Sequence, residues 1–320
     1  MNYLFTTLSF CLLLLSSCRN QQNKEEEENP QRELQGTISI SGAFALYPVT
    51  VAWAEEFKKL HPKVRIDISA GGAGKGMTDA LTHLVDIGMV SRKIHDEEIR
   101  RGVWFIPVAK DAVLPVMNGS HPQLDELLKK GLKRGDFERI YIHADAKKWS
   151  DVGINSVLPI HAYTRSDAAG SAESWGAYLG KNQEDLQGIG VFGDPGVSQA
   201  VMKDISAIGY NNIVYAYDSK TKKPLKGIRP IPIDINENGM IDPEENFYDS
   251  LDDLMLAISE NKFPTPPARN LYFVCGGQPK RRVVKEFIHW ILTEGQPYVK
   301  SAGYVHLAKE TIDSATVKLQ

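Results

Sequence analysis

Apolar and polar side chains alternate along Thr37, Ile38, Ser39 and Ile40, the period of a half-buried strand. The period then changes: Val49, Trp53, Phe57 and Leu60 recur at three- and four-residue intervals, which predicts a helix. Alternation resumes over residues 64–68, followed by a helix from Met77 to Leu84 and a buried strand over residues 85–90. Residues 105–116 read as two strand-like runs around a polar step, and residues 123–131 as a short helix ended by glycine. Strands are predicted at 136–143, 157–163 and 208–217, and helices at 195–205 and 248–258. The stretch 263–269, stiffened by Pro264, Pro266 and Pro267, predicts a return crossing. Strand and helix alternating along one chain predict an α/β protein.

The joins between these elements carry the candidate chemistry. The first strand ends in Ser41-Gly42-Ala43-Phe44-Ala45, the second in Gly71-Gly72-Ala73-Gly74-Lys75-Gly76, and the third in Ser91-Arg92. A fourth segment places Arg165 ahead of Ala168-Ala169-Gly170 and Ser171, with Ser171 predicted to cap a helix whose face begins Ser174, Trp175, Tyr178. Small residues let a ligand approach the backbone, and N–H groups at a helix start point outward along the positive end of the dipole. Added to an arginine fork, these are the parts of an oxyanion site. A surface arginine before an ordinary capped helix would read the same way in isolation. Three small-residue loops at successive strand ends, converging on one crevice of an open sheet, point to a site. The glycines of residues 71–76 fit neither the Walker pattern nor the dinucleotide fingerprint.

The 320 residues suffice for about two domains, and 42% hydrophobic with 24% charged residues is ordinary for a folded chain. A net charge of -3 argues against nucleic acid as a partner, since no excess of cations faces phosphates. Residues 1–17 form a short apolar leader, read as a signal peptide. Leu15-Ser16-Ser17-Cys18 resembles a bacterial lipobox, which implies a lipid on Cys18, although no Lys or Arg precedes the apolar run. Residues 18–35, with Glu25-Glu26-Glu27-Glu28 and Pro30, read as a flexible tether. The acidic run also resembles surface-export signals of some Gram-negative lipoproteins, so the expected location is the periplasm or cell surface, held to a membrane. Cys275 is then the one ordinary thiol of the mature chain and reads as a core cysteine. His121, His143 and His161 lack ligand spacing.

Taken in order, Ser41-Gly42, Pro48, Trp53-Ala54-Glu55-Glu56-Phe57, the turn at residues 71–76, Val85-Asp86-Ile87-Gly88-Met89-Val90-Ser91-Arg92 and Arg165-Ser166-Asp167 with Gly170-Ser171 resemble the substrate-binding protein of ABC phosphate importers. Leu271-Tyr272-Phe273-Val274 and the run at residues 287–296 resemble that family's closing elements, so the likeness spans roughly residues 36 to 310. It implies a two-lobe, type II periplasmic-binding-protein fold: two mixed sheets flanked by helices, with a ligand cleft between the lobes. Lobe one would hold residues 36–112 and 268–320, and lobe two residues 113–267. The resemblance implies anion contacts from the backbone at Phe44, Ala45, Ala73 and Gly74, from Ser91 and Arg92, from the Arg165 guanidinium, and from the Ala169-Gly170-Ser171 helix start. Phe44, Ala73 and Ala169 stand where the family often carries a hydroxyl. One branch places an Asp at the position of Ser91 to accept the proton of hydrogen phosphate. Here Asp86 or Asp167 are the candidate acceptors, and Asp167 is equally placed to ion-pair with Arg165.

A separate signal lies at residues 234–245, which match the twelve-position calcium loop D-x-[DN]-x-[DN]-G-x5-E. Asp234, Asn236, Asn238 and Asp242 would supply side-chain oxygens, Met240 its carbonyl and Glu245 a bidentate carboxylate, with Gly239 at the sharp turn. The preceding residues 228–233 are broken by proline, so no EF-hand helix is expected and the calcium reads as structural.

The expected function is capture of phosphate or a related tetrahedral oxyanion for a membrane permease, without catalysis. No G-x-S-x-G elbow and no H-E-x-x-H motif is present. The alternatives are a surface lipoprotein of the same fold used for adhesion or sensing, and a phosphoester hydrolase.

Overall fold

One strand belongs to both halves of the molecule. The computed structural model describes residues 33–320, so the leader, Cys18 and most of the tether lie outside the described residues. In chain order the strands are β1 (Gly36–Gly42), β2 (Val64–Ala70), β3 (Ile87–Val90), β4 (Trp104–Asn118), β5 (His161–Arg165), β6 (Ile189–Val191), β7 (Ala207–Asn212), β8 (Ile228–Pro230) and β9 (Ala268–Cys275). They pair in the order β2-β1-β3-β9-β4-β7-β5-β6, with β8 beside β4. The 15-residue β4 pairs with β9 from Trp104 to Ala112 and with β7 from Val113 to Met117. Residues 105–116 are therefore one strand, and the two expected sheets run continuously through it. The polar step survives inside the ladder because Lys110 and Asp111 pair with Asn270 and Arg269. The register slips between Pro107 and Ala109, where proline offers no N–H.

Buried side chains fall into two clusters on either side of this crossing. One holds Leu34, Trp53, Phe57, Ala109, Leu271, Phe273 and Phe287, and the other holds Ala112, Phe137, Trp149, Trp175, Tyr210, Phe263 and Ala268. We call them lobe one and lobe two. Leu34 is buried in lobe one, so the expected tether is packed by that point. Cys275 is free and buried there, its thiol pushed up to about 12 by burial.

Several expected elements shift. Residues 136–143, read as a strand, lie mostly in the helix Arg134–Tyr141. Phe137, Ile140 and Tyr141 share its buried face, and the Lys133 N–H donates to Asp136 Oδ2 at 3.0 Å to start it. The helix expected from Met77 to Leu84 is Ala73–Leu81. Gly72 starts it at a positive φ of 92°, and Leu84 is left 72% exposed beyond its end. That shift matters, because it puts Ala73 and Gly74 in a first helical turn.

Candidate functional site

Four helix starts lie together where the two lobes meet. Phe44 and Ala45 open the 3-10 helix Phe44–Leu46, and Ala73 and Gly74 open Ala73–Leu81. From lobe two, Gly170 and Ser171 open the helix Gly170–Tyr178, and Gly193 and Asp194 open Gly193–Lys203. First-turn N–H groups have no helical carbonyl to accept them, and the dipole adds positive potential. The segments interlock. The Gly74 N–H donates to the Ala168 carbonyl at 3.2 Å, and a Cβ on Gly170 would stand 2.3 Å from the Ser91 carbonyl oxygen and Oγ. The Arg165 guanidinium carbon lies 5.7 Å from the centre of the Phe44 ring. Beside them, the Tyr215 hydroxyl donates to the Phe44 carbonyl at 3.1 Å, and the Phe44 and Phe192 rings meet edge to face at 5.9 Å.

The expected contact residues divide by what they already do. The N–H groups of Gly74 and Ala169 are engaged, the first by Ala168 and the second by Gln183 Oε1 at 3.0 Å. Phe44, Ala45, Ala73, Gly170 and Ser171 keep first-turn positions. Ser171 is not the helix cap: the cap is Ala169, in extended conformation with no side-chain bond. The Ser171 hydroxyl is drawn elsewhere, accepting from Arg165 Nη1 at 2.9 Å and donating to Asp194 Oδ1 at 3.1 Å.

Arg165 is held from several directions. Its Nε and Nη2 grip Asp167 at 2.9 and 2.6 Å, and Nη1 reaches Asp194 Oδ1 at 2.8 Å as well as Ser171. Of five N–H donors on a guanidinium, four are thereby directed, which leaves one for a ligand. Burial would lower the Arg165 pKa, but Asp194 and Asp167 more than offset it, so the charge is secure. Burial raises the Asp194 carboxyl, with Arg165 and Arg269 opposing it. Asp167 thus takes the ion-pairing role. Asp86 bonds Ser39 Oγ at 3.0 Å and pairs with Arg281, so its carboxylate is already used within lobe one.

Arg92 is buried, but its fork is turned to carboxylates. Nη1 and Nη2 bond Glu98 at 2.9 and 2.6 Å, and Nε reaches Glu173 at 3.2 Å. Below the site, Arg269 donates to the Gly170 carbonyl, to Ser174 Oγ at 2.8 Å and to Asn212 Oδ1. Asp194, Glu173, Tyr215 and Arg269 were not singled out from the sequence. Only Asp194 carried a local signal, lying in the Gly193-Asp194-Pro195 start of a helix.

The loop at residues 234–245 folds tightly around its carboxylates. Asp234 accepts the N–H groups of Asn238 and Gly239 at 3.2 and 2.7 Å, and Glu245 Oε1 accepts those of Ile235 and Asn236 at 3.0 and 2.9 Å. The side-chain amides of Asn236 and Asn238 both meet Asp242 Oδ2, at 2.9 and 2.8 Å. Among the described residues, no group of three or more His, Cys, Asp or Glu side chains is arranged to hold a metal ion.

Residues 27–294 match the PBP superfamily domain. The phosphate-binding protein PstS of Methanocaldococcus jannaschii is 24% identical over 368 residues, covering 95% of this chain and 91% of that protein. Protein SphX of Synechococcus elongatus is 24% identical over 313 residues, covering 92% and 84%. A Clostridium perfringens protein, described as a phosphate ABC transporter substrate-binding protein with bound phosphate, superposes with a TM-score of 0.71 at 23% identity, over 85% of this chain and 100% of that one. An ABC-type phosphate transport receptor from Vibrio cholerae superposes with a TM-score of 0.61 at 19% identity, over 84% and 100%. At such identities the structures speak for the fold.

Proposed function

We propose that this chain, which belongs to the PBP superfamily, is an extracytoplasmic solute-binding protein that captures inorganic phosphate for an ABC importer. It is a binding protein and not an enzyme. The carrying observation is the convergence of helix starts from both lobes beside Arg165. A tetrahedral anion would be met by backbone N–H groups at Phe44, Ala45, Ala73, Gly170 and Ser171, together with the undirected guanidinium N–H. Backbone donors make hydroxyls at Phe44, Ala73 and Ala169 unnecessary for charge stabilisation. The proton of hydrogen phosphate needs an acceptor, and Asp167 and Asp194 are the carboxylates at hand, both on Arg165. The curated relative from Methanocaldococcus jannaschii is a phosphate-binding protein, which favours phosphate among the tetrahedral anions.

Competitive calorimetry with phosphate, arsenate, sulfate and molybdate tests this. Phosphate should bind and arsenate should displace it, with sulfate excluded. Protein that binds none of the four overturns the reading and favours the adhesion or sensing role. Hydrolysis of a chromogenic phosphate ester would favour the hydrolase.

Two further parts belong to the proposal. A lipid on Cys18 tethers the protein to a membrane beside its permease, supported by the lipobox-like Leu15-Ser16-Ser17-Cys18. A calcium ion sits in the loop at residues 234–245, held by Asp234, Asn236, Asn238, Asp242, Glu245 and the Met240 carbonyl. Its support is the spacing of the motif and two buried carboxylates, Asp234 and Glu245, that receive backbone N–H groups rather than a cationic side chain.

A further inference from the structure

The helix that begins with Gly170 and Ser171 at the meeting of the lobes also carries Glu173 in its first turn, and that carboxylate reaches across to lobe one. Its Oε1 lies 3.0 Å from His95 Nε2 and its Oε2 lies 3.2 Å from Arg92 Nε. The receiving group is built in advance. Glu98 grips Arg92 through both terminal nitrogens and accepts the His95 N–H at 2.8 Å, while Arg92 Nη1 also bonds the Lys93 carbonyl at 2.9 Å. Burial would raise the Glu98 carboxyl, but Arg92 holds it below its usual range, so the pair stays ionised. Arg92 is thus fixed by its own lobe with one edge left for a partner from the other. Beside it, Gly170 packs directly on Ser91.

We propose that Glu173 is a positioning residue for anion capture: by docking on Arg92 and His95 it latches the Gly170–Tyr178 helix start against lobe one. This rests on the phosphate-capture reading. The anion donors of Gly170 and Ser171 and the latch lie on the same helical turn, so any opening that withdraws one withdraws the other. The latch adds free energy to the closed form only, which a ligand sees as slower release. Arg92 therefore serves the site through Glu173 rather than by touching the anion.

The test is a double-mutant cycle with Glu173→Gln and His95→Gln, read as phosphate affinity by calorimetry and as release rate by stopped flow. Glu173→Gln should bind phosphate roughly fivefold more weakly, nearly all of it in faster release, given that the carboxylate is partly exposed. His95→Gln should add little in the Glu173→Gln background. A merely structural role in the helix would lower the melting temperature and leave the release rate alone. Phosphate binding with an unchanged release rate overturns the latch while the capture reading stands. Wild type that binds no phosphate overturns that reading instead, and small-angle scattering of ligand-free protein then decides the latch. Glu173→Gln should populate wider conformations, and scattering curves identical to wild type overturn the inference.

Discussion

Asp111 and Arg269 face each other in register where β4 and β9 pass from one core to the other, with Nη2 3.5 Å from Oδ2. Both are buried, Asp111 completely. Burial pushes the Asp111 carboxyl up to about 6, with Arg269 opposing it. The folded value lies above the ordinary one, so the folded protein holds a proton that the unfolded chain releases between about pH 4 and 6. Stability is therefore greatest below that window and falls as pH rises through it, by on the order of 3 kcal/mol. Asp111→Asn should remove this slope. Denaturant unfolding from pH 4 to 7 checks it, and a wild-type-to-variant difference that stays constant with pH would count against the assignment.

Arg165→Ala should weaken phosphate binding by more than about tenfold, the scale of a charge-assisted contact. It also strands Asp167 and Asp194 in a buried setting, so the fold is to be checked by circular dichroism. Arg165→Lys keeps the charge but loses the two-pronged grip on Asp167, and should still bind more weakly than wild type. Unchanged affinity in both variants would remove Arg165 from the site.

Gly170→Ala probes closure sterically. The added Cβ would meet backbone oxygen and Oγ of Ser91 at 2.3 Å, and backbone cannot swing aside as a flexible side chain does. The lobes should be held apart and phosphate affinity should fall at least tenfold, with little loss of helix content. Calorimetry that finds normal affinity would mean the approach of these two segments is not needed for binding.

Removing calcium with a chelator should lower the melting temperature, and adding it back should restore the midpoint, because a ligand of the folded state stabilises by mass action. Asp234→Asn should abolish that response. A midpoint indifferent to chelator would make residues 234–245 a turn held by hydrogen bonds.

Cys18→Ser should move the protein from the membrane to the soluble fraction of expressing cells. A variant that still sediments with membranes would rule out the lipid.

Much of the fold was legible because its signals are short-range. Alternation found β1 and β2, helical spacing found Val49, Trp53 and Phe57 on one buried face, and glycine marked the end of Leu124–Lys130. Residues 136–143 misled, since Phe137, Ile140 and Tyr141 in so short a run fit either period until lobe two packs on them. Ser171 misled in another way: a hydroxyl suited to capping was claimed by Arg165 and Asp194.

The loops at the strand ends follow from the amino-acid sequence itself, because small residues and helix starts are properties of a few neighbouring positions. So does the grip of Arg165 on Asp167, two residues away. Tertiary structure decided which other charges meet: Asp194 with Arg165, and Glu173 with His95 across 78 positions of chain. An ion pair depends on distance and burial, and both arise only when separate segments are folded against each other.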